Sequence, residues 1–327
     1  RTKSGFSTDA DVLGDLAIEH PIVAQIEEYR TLSKLKGTYI DTLPTLVNAD
    51  THRVHTSYNQ AVTATGRLSS SDPNLQNIPI RADLGRRIRT GFVAEPGWFF
   101  VGADYSQVEL RLLAHLSGDA ELTRGFLEGE DVHIATACGV FGVPPSGVTP
   151  ELRRRAKVIN FGILYGMSPF GLSRELGIGA KEARQYIDQY FQRYPGVRGY
   201  IEQVKEQARK DGFVKTILGR RRFIRDINSQ NKVMREAAER AAVNAPIQGS
   251  AADIIKLAMI RIDREFRDRG MSSRLVLQVH DELIAEVPEG EAGEAGQIVR
   301  ESMSGVASLA VPLTVSLSRG KNWGEIH

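Results

Sequence analysis

The chain has 327 residues, 41% of them hydrophobic, enough to bury a sizeable core and build two or three subdomains. Its 42 Lys plus Arg nearly balance 40 Asp plus Glu, for a net charge of +2, so a nucleic-acid footprint must come from local clusters and not from net charge. Cys138 is the single cysteine, which rules out an internal disulfide and fits a reducing cytoplasm. No run of roughly 20 apolar residues would span a membrane, and no charged-then-apolar leader opens the chain. Because it opens on Arg1 and not Met, the chain is expected to be a fragment of something longer.

Apolar positions at helical spacing (Leu13, Leu16, Ile22, Ile26, Tyr29, Leu32) predict two helices across Ala10 to Lys36, divided at His20-Pro21. Thr63 to Pro79 (TATGRLSSSDPNLQNIP) is loop chemistry, rich in Ser, Asn, Asp, Gly and Pro. Trp98 to Tyr105 (WFFVGADY) predicts a buried strand. SQVELRLLAHLSG then predicts a helix whose Ser106 and Glu109 have the spacing of a capping box. Asp119-Ala120-Glu121 has the D-x-E form of an exonuclease site, but its place after Ser117-Gly118 and before an apolar run reads better as a helix start. The middle of the chain is mostly helical, with a basic hairpin around Leu218-Gly219-Arg220. Pro246 is expected to break one helix and Gln248 to Ser250 to open the next. Near the end, RLVLQV and ELIAEV predict two short strands joined by a tight turn at His280-Asp281, and EGEAGEAG reads as a solvated turn or helix start. Strands flanking a long helical insertion make an α+β arrangement.

One helix carries the most information. Thr149 as N-cap, Pro150 at the first position and Glu151 in the first turn specify its start. Leu152, Ala156, Ile159 and Ile163 form an apolar stripe, while Arg153, Lys157, Phe161 and Tyr165 recur every four residues on a second face. At about 1.5 Å per residue that face spans roughly 18 Å, with cations at one end and aromatics at the other, the polarity of a nucleoside triphosphate. Crowding Arg153, Arg154, Arg155 and Lys157 at the positive end of the helix dipole calls for an anion there. A solvated basic face beside core aromatics is the other reading.

RRRAKVINFGILYG resembles the nucleotide-binding helix of family A DNA polymerases, the bacterial DNA polymerase I group. DYSQVELR at Asp104, QVHDEL at Gln278, TATGRLSSSDPNLQNIP and NAPIQGSAAD at Asn244 resemble further family motifs, in order along the chain. The resemblance implies a right-hand architecture: an antiparallel-sheet palm, a helical fingers insertion and a partial helical thumb. Residues 1–66 would form partial thumb and link, 67–126 the first part of the palm, 127–245 the fingers and 246–327 the second part of the palm. It also implies template-directed addition of deoxyribonucleotides to a primer by two-metal-ion phosphoryl transfer, in a cytoplasmic monomer.

Site roles follow from the same resemblance. Asp104 and Asp281, with the Tyr105 carbonyl, would hold two Mg²⁺ ions, for which Mn²⁺ is a substitute. Read alone, each aspartate is also an ordinary turn or cap residue. Glu282 is expected to point to the other strand face. Arg153 and Lys157 would neutralise the triphosphate, with His133, in a segment capped by Asp131, nearby. Gln107 would contact the nucleotide or the backbone. Phe161 would pack on the incoming sugar and base, and Tyr165 near the templating position. Glu109 would block a 2′-hydroxyl. Arg67, Asn244 and Gln248 would reach the minor groove or template, and His280 either the primer end or only the turn. Arg220, Arg221, Arg222 and Arg225 either touch phosphate or form a solvated hairpin. Two alternatives are a single-subunit RNA polymerase, disfavoured by Glu109 and Phe161, and a non-catalytic DNA-binding module, which leaves Asp104 and Asp281 unexplained.

Overall fold

The structure, a computed structural model, describes residues 5–9, 12, 13, 16, 20–80 and 83–326. Of the two helices expected at the start, the second is present as α1 (Pro21–Leu35), opened by Pro21. The first falls largely outside the described residues. A small ladder of β1 (Ser57–Asn59) and β2 (Ser69–Ser71) and helix α2 (Asp83–Thr90) lead to β3 (Trp98–Tyr105), the expected buried strand. A helical insertion follows: α3 (Val108–Ser117), α4 (Ala120–Leu127), α5 (Val132–Phe141), α6 (Pro150–Leu164), α7 (Pro169–Leu176), α8 (Ala180–Arg193) and α9 (Pro195–Asp211). The hairpin of β4 (Phe213–Lys215) and β5 (Arg221–Phe223) precedes the long α10 (Lys232–Asp268). Then come β6 (Arg274–Val279), β7 (Glu282–Pro288), α11 (Ala292–Ser304) and β8 (Val315–Gly320).

The central sheet is antiparallel in the order β6-β7-β3-β8. Period-two alternation sorts its side chains. Val101, Ala103 and Tyr105 of β3, with Leu283, Ala285 and Val287 of β7, enter the main core with α3, α6, α10 and α11. Phe100 and Ile284 face the other way, into a second core with Tyr39, Leu75, Ile78, Trp323 and Ile326. Gly102 and Asp104 continue that second face toward an open cleft.

Two local expectations fail. The Ser106–Glu109 capping box does not form: Gln107, at φ 55°, is the N-cap of α3, and the Ser106 hydroxyl lies 3.2 Å from that of Ser316. Pro246 does not break a helix. α10 runs for 37 residues with Pro246 inside it, because Ala242 to Ala252 are almost wholly buried and packing there outweighs a proline cost of about 3 kcal/mol. Asp119 does cap α4, through Leu122 N, and also accepts from Gly196 N (2.8 Å), so Asp119-Ala120-Glu121 is helix-start chemistry.

Candidate active site

β3 and the β6–β7 turn build the acidic end of the site. Asp104 pairs in register with Glu282, and Tyr105 N donates to the Asp281 carbonyl (3.2 Å), so the turn is zipped onto the strand end that carries Asp104. Asp104, Asp281 and Glu282 line one cleft of ≈ 890 Å³. Glu282 therefore does not point away. Residues directly opposite in an antiparallel pair share a face, and only the turn residue Asp281 escapes the alternation. Gly102, two residues before Asp104 on the same face, leaves room for the Glu282 carboxylate, which would lie 3.3 Å from a Cβ at position 102.

The charges of this cleft disturb one another. Asp104 is accessible to solvent, yet the surrounding protein, first, and the charge of Asp281, second, push its carboxyl up to about 6. Burial also raises Asp281, against the pull of Arg67. Buried Glu282 is pushed up to about 8 by desolvation, with Arg89 opposing and Asp104 adding. Such crowding favours binding a proton or a cation. No group of three His, Cys, Asp or Glu suited to a metal is gathered among the described residues. Asp104 and Asp281 would make a sparse, hard donor pair of the kind that suits Mg²⁺, an ion that keeps waters and substrate phosphates as its remaining ligands.

A second network joins four of the singled-out residues. Buried Glu109 accepts from Arg67 Nη2 (2.7 Å) and from the Tyr165 hydroxyl (2.6 Å), while the same Arg67 nitrogen lies 3.5 Å from Asp281 Oδ1. Arg67 thus bridges the wall made by Glu109 to the acidic turn.

α6 begins as the sequence requires, with Thr149 accepting from Leu152 N. The anions that its basic end calls for are partly supplied by the protein. Glu151 accepts from both Arg154 and Arg155, which hold it down at about 2. Arg153 places Nε and Nη2 each 2.8 Å from Asp131 Oδ2, and Asp131 Oδ1 caps α5 through His133 N and Ile134 N. Lys157 alone of these cations is exposed with no ion pair among the described residues. Further along, His133, Phe161 and Tyr165 make an aromatic file with centroids 6.0 and 6.2 Å apart. His133 is buried. Desolvation lowers its pKa to about 4, and Nδ1 meets the Asn160 amide at 3.0 Å, which leaves its proton on Nε2.

Gln107 sits in the left-handed region at the foot of α3, and His280 (φ 53°) is the exposed left-handed residue of the turn. Asn244 and Gln248 lie one turn apart on α10, and Asn244 Oδ1 is buried with no hydrogen-bond partner among the described residues. The basic hairpin splits: Arg220 is committed to protein acceptors and Arg221 stacks over Phe213, while Arg222 and Arg225 make no ion pair among the described residues.

The sequence reading missed Gln278. Its side-chain amide donates to the His280 carbonyl (2.6 Å) and accepts from Gln76 (2.9 Å), and its backbone exchanges hydrogen bonds with the Tyr58 hydroxyl. It braces the turn that carries Asp281. A polar residue inside the apolar run RLVLQV, three positions before the turn aspartate, was the available signal.

The sequence matches the family described as DNA polymerase family A over residues 1–325. It is 54% identical to the DNA polymerase I of Chloroflexus aurantiacus over 98% of this chain and 34% of that protein. To that of Pseudomonas aeruginosa it is 54% identical, over 100% of this chain and 36% of that protein. A solved structure described as the POL domain of Pol1 from M. smegmatis in complex with DNA primer-template and dNTP superposes with a TM-score of 0.95 at 51% identity. It covers 100% of this chain and 58% of that one. The chain spans about a third of the length of the curated relatives it matches. The α+β architecture expected for a right-hand polymerase is therefore present, and neither alternative reading is favoured. The chain belongs to DNA polymerase family A.

Proposed function

We propose that the chain catalyses template-directed addition of deoxyribonucleotides to a primer 3′ end, with release of pyrophosphate. The observation that carries this reading is the convergence of Asp104 and Asp281 in one cleft, with Asp281 linked through Arg67 to Glu109 and Tyr165. Residues 1–66 serve as partial thumb and link, 67–126 and 246–327 as palm, and 127–245 as fingers. The partners are primer-template DNA and deoxyribonucleoside triphosphates, handled by a cytoplasmic monomer.

Asp104 and Asp281, with the Tyr105 carbonyl, would hold two Mg²⁺ ions or Mn²⁺ in their place, which supply neutralisation of phosphate charge and polarisation of the attacking hydroxyl. Lys157 and Arg153 bind the triphosphate electrostatically and stabilise charge developing on the leaving pyrophosphate. His133, neutral with its proton on Nε2, is a donor and not a charge. Phe161 packs on the incoming sugar and base, Tyr165 lies near the templating position, and Gln107 contacts the nucleotide or the backbone. Glu109, pinned by Arg67 and Tyr165, is a rigid wall against a 2′-hydroxyl, which selects deoxyribonucleotides. Arg67, Asn244 and Gln248 meet the minor groove or template, and His280 the primer end.

Extension of a labelled primer on a defined template with Mg²⁺ tests the reading, comparing deoxyribonucleotides, ribonucleotides and Asp104→Ala. Extension by wild type and its loss in Asp104→Ala are expected. Undiminished extension by Asp104→Ala would overturn the mechanism.

A further inference from the structure

Arg220 belongs to a basic run that sequence alone assigns equally to phosphate contact or to solvent, and its guanidinium does neither. Nη1 donates to the Thr65 carbonyl (2.7 Å), Nη2 to the Gly249 carbonyl (2.8 Å), and Nε and Nη2 approach the same oxygen of Asp253 at 2.9 and 2.8 Å. These acceptors come from the loop before Arg67 and from α10 just past Gln248, segments far apart in sequence. The seat is shaped for a flat group. A Cβ at Gly66 (φ +80°) would fall inside the guanidinium, and one at Gly249 would lie 3.3 Å from Nη2 and 2.6 Å from Thr216 Cγ2. On the hairpin side, Arg220 N bonds the Thr216 hydroxyl and its carbonyl accepts from Thr216 N, so the turn that presents the side chain is itself closed.

The loop under this fork is a tight turn. Gly66 N donates to Thr63 O, the Thr63 hydroxyl bonds the Arg67 carbonyl, and the next side chain along the chain is Arg67, whose Nη2 meets Glu109 and Asp281. We infer that Arg220 is a positioning residue: its fork fixes the Thr65-Gly66 backbone against α10 and so sets where Arg67 stands between Glu109 and the acidic turn. The inference rests on the polymerase reading of that site. A lysine in its place reaches one acceptor as a point charge and leaves the other carbonyls unmet, so charge alone does not restore the geometry.

Single-nucleotide insertion kinetics on a primer-template, referred to folded protein by melting curves, tests this in a double-mutant cycle. Arg220→Ala is expected to lower kcat/KM by roughly 10- to 100-fold, the scale of an ångström-level displacement in a reacting site. Arg220→Lys should recover little of that loss. In an Arg67→Ala background, removing Arg220 should cost less than about two-fold more, because the residue it positions is already gone. Losses that multiply across the two positions, or an Arg220→Lys enzyme equal to wild type, would overturn the inference. If Arg220→Ala does not fold, the cycle with Arg220→Lys decides by the same criteria. A wild-type chain that fails to extend the primer at all would instead remove the polymerase reading, so the two failures are distinguishable.

Discussion

Of the four cations at the start of α6, three are already neutralised by Glu151 or Asp131, and only Lys157 stands exposed without a carboxylate. Replacing Lys157 with Ala should therefore hurt nucleotide use more than replacing Arg153. A pair of unit charges at about 4 Å is worth about 1 kcal/mol in water and about 4 kcal/mol near a protein surface. An exposed lysine at the rim of a cleft falls between, at roughly 2 to 3 kcal/mol, or a roughly 30- to 150-fold loss in kcat/KM for the incoming nucleotide. Arg153 must first leave Asp131, where it makes 2.8 Å contacts, so its net contribution is about 1 kcal/mol, near five-fold. Pre-steady-state insertion kinetics measures both, and a gel-shift or anisotropy titration measures primer-template Kd, which should stay within about two-fold because one cation among many sets little of the total. A larger effect at Arg153 than at Lys157, or a Lys157→Ala loss of DNA affinity equal to its loss in kcat/KM, would refute the assignment.

Burial raises Glu282 to about 8 and Asp104 to about 6, above their unfolded values, so the stability they contribute is present at low pH and lost as pH rises through those values. In metal-free protein the melting temperature of Glu282→Gln should thus gain on wild type between about pH 5 and pH 9, and added Mg²⁺ should stabilise wild type at about pH 8 but not Asp104→Asn. A pH-independent difference in calorimetry would contradict the first part, and equal stabilisation of both proteins the second. Gln278→Ala, which frees the His280 carbonyl from its 2.6 Å bond, should lower kcat/KM by about ten-fold with primer-template Kd little changed. An unchanged rate would mean that the turn needs no brace. Farther along the same face of β7, Glu286 is fully buried and accepts from Arg53 and Arg274 at 2.8 and 2.9 Å. Arg53→Ala should cost about 3 kcal/mol in denaturant unfolding, and a loss below about 1 kcal/mol would show that Arg274 alone suffices.

Local chemistry made much of this molecule legible before any coordinates. Thr149-Pro150-Glu151 specified the start of α6, the alternation and length of WFFVGADY specified β3, and His280-Asp281 between two apolar runs specified the β6–β7 turn. Where local rules competed with packing, packing won. Pro246 stays helical because its surroundings are buried, and Glu109 forsakes the cap for partners 42 and 56 positions away. Those partners are set by the closure of the chain on itself, which no window of neighbouring residues encodes. The same holds for Asp131 with Arg153, and for Arg220, whose side chain resembles its solvated neighbours in sequence while its acceptors lie 155, 29 and 33 positions away. Glu282 departs from expectation for a simpler reason. Alternation counted from the turn residue Asp281 puts Glu282 on the other face, whereas register counted from Asp104 across the ladder puts it on the same one.

The unbroken α10 constrains how such a machine can move. At about 1.5 Å per residue it is a spar of about 55 Å, gripped near one end by the β4–β5 hairpin and α9, and near the other by α11 and the sheet. A proline in the first half of so long a rod invites the idea of a hinge, but Pro246, Ile247 and Gly249 are buried, and the Ser250 hydroxyl bonds the Pro246 carbonyl within the helix. The hairpin, the seat of Arg220 and the acidic strands are thus joined through one continuous helix. The helices from α5 to α8 pack chiefly on each other, so a swing of that group would carry Arg153 and Lys157 past a frame that holds Asp104 and Asp281.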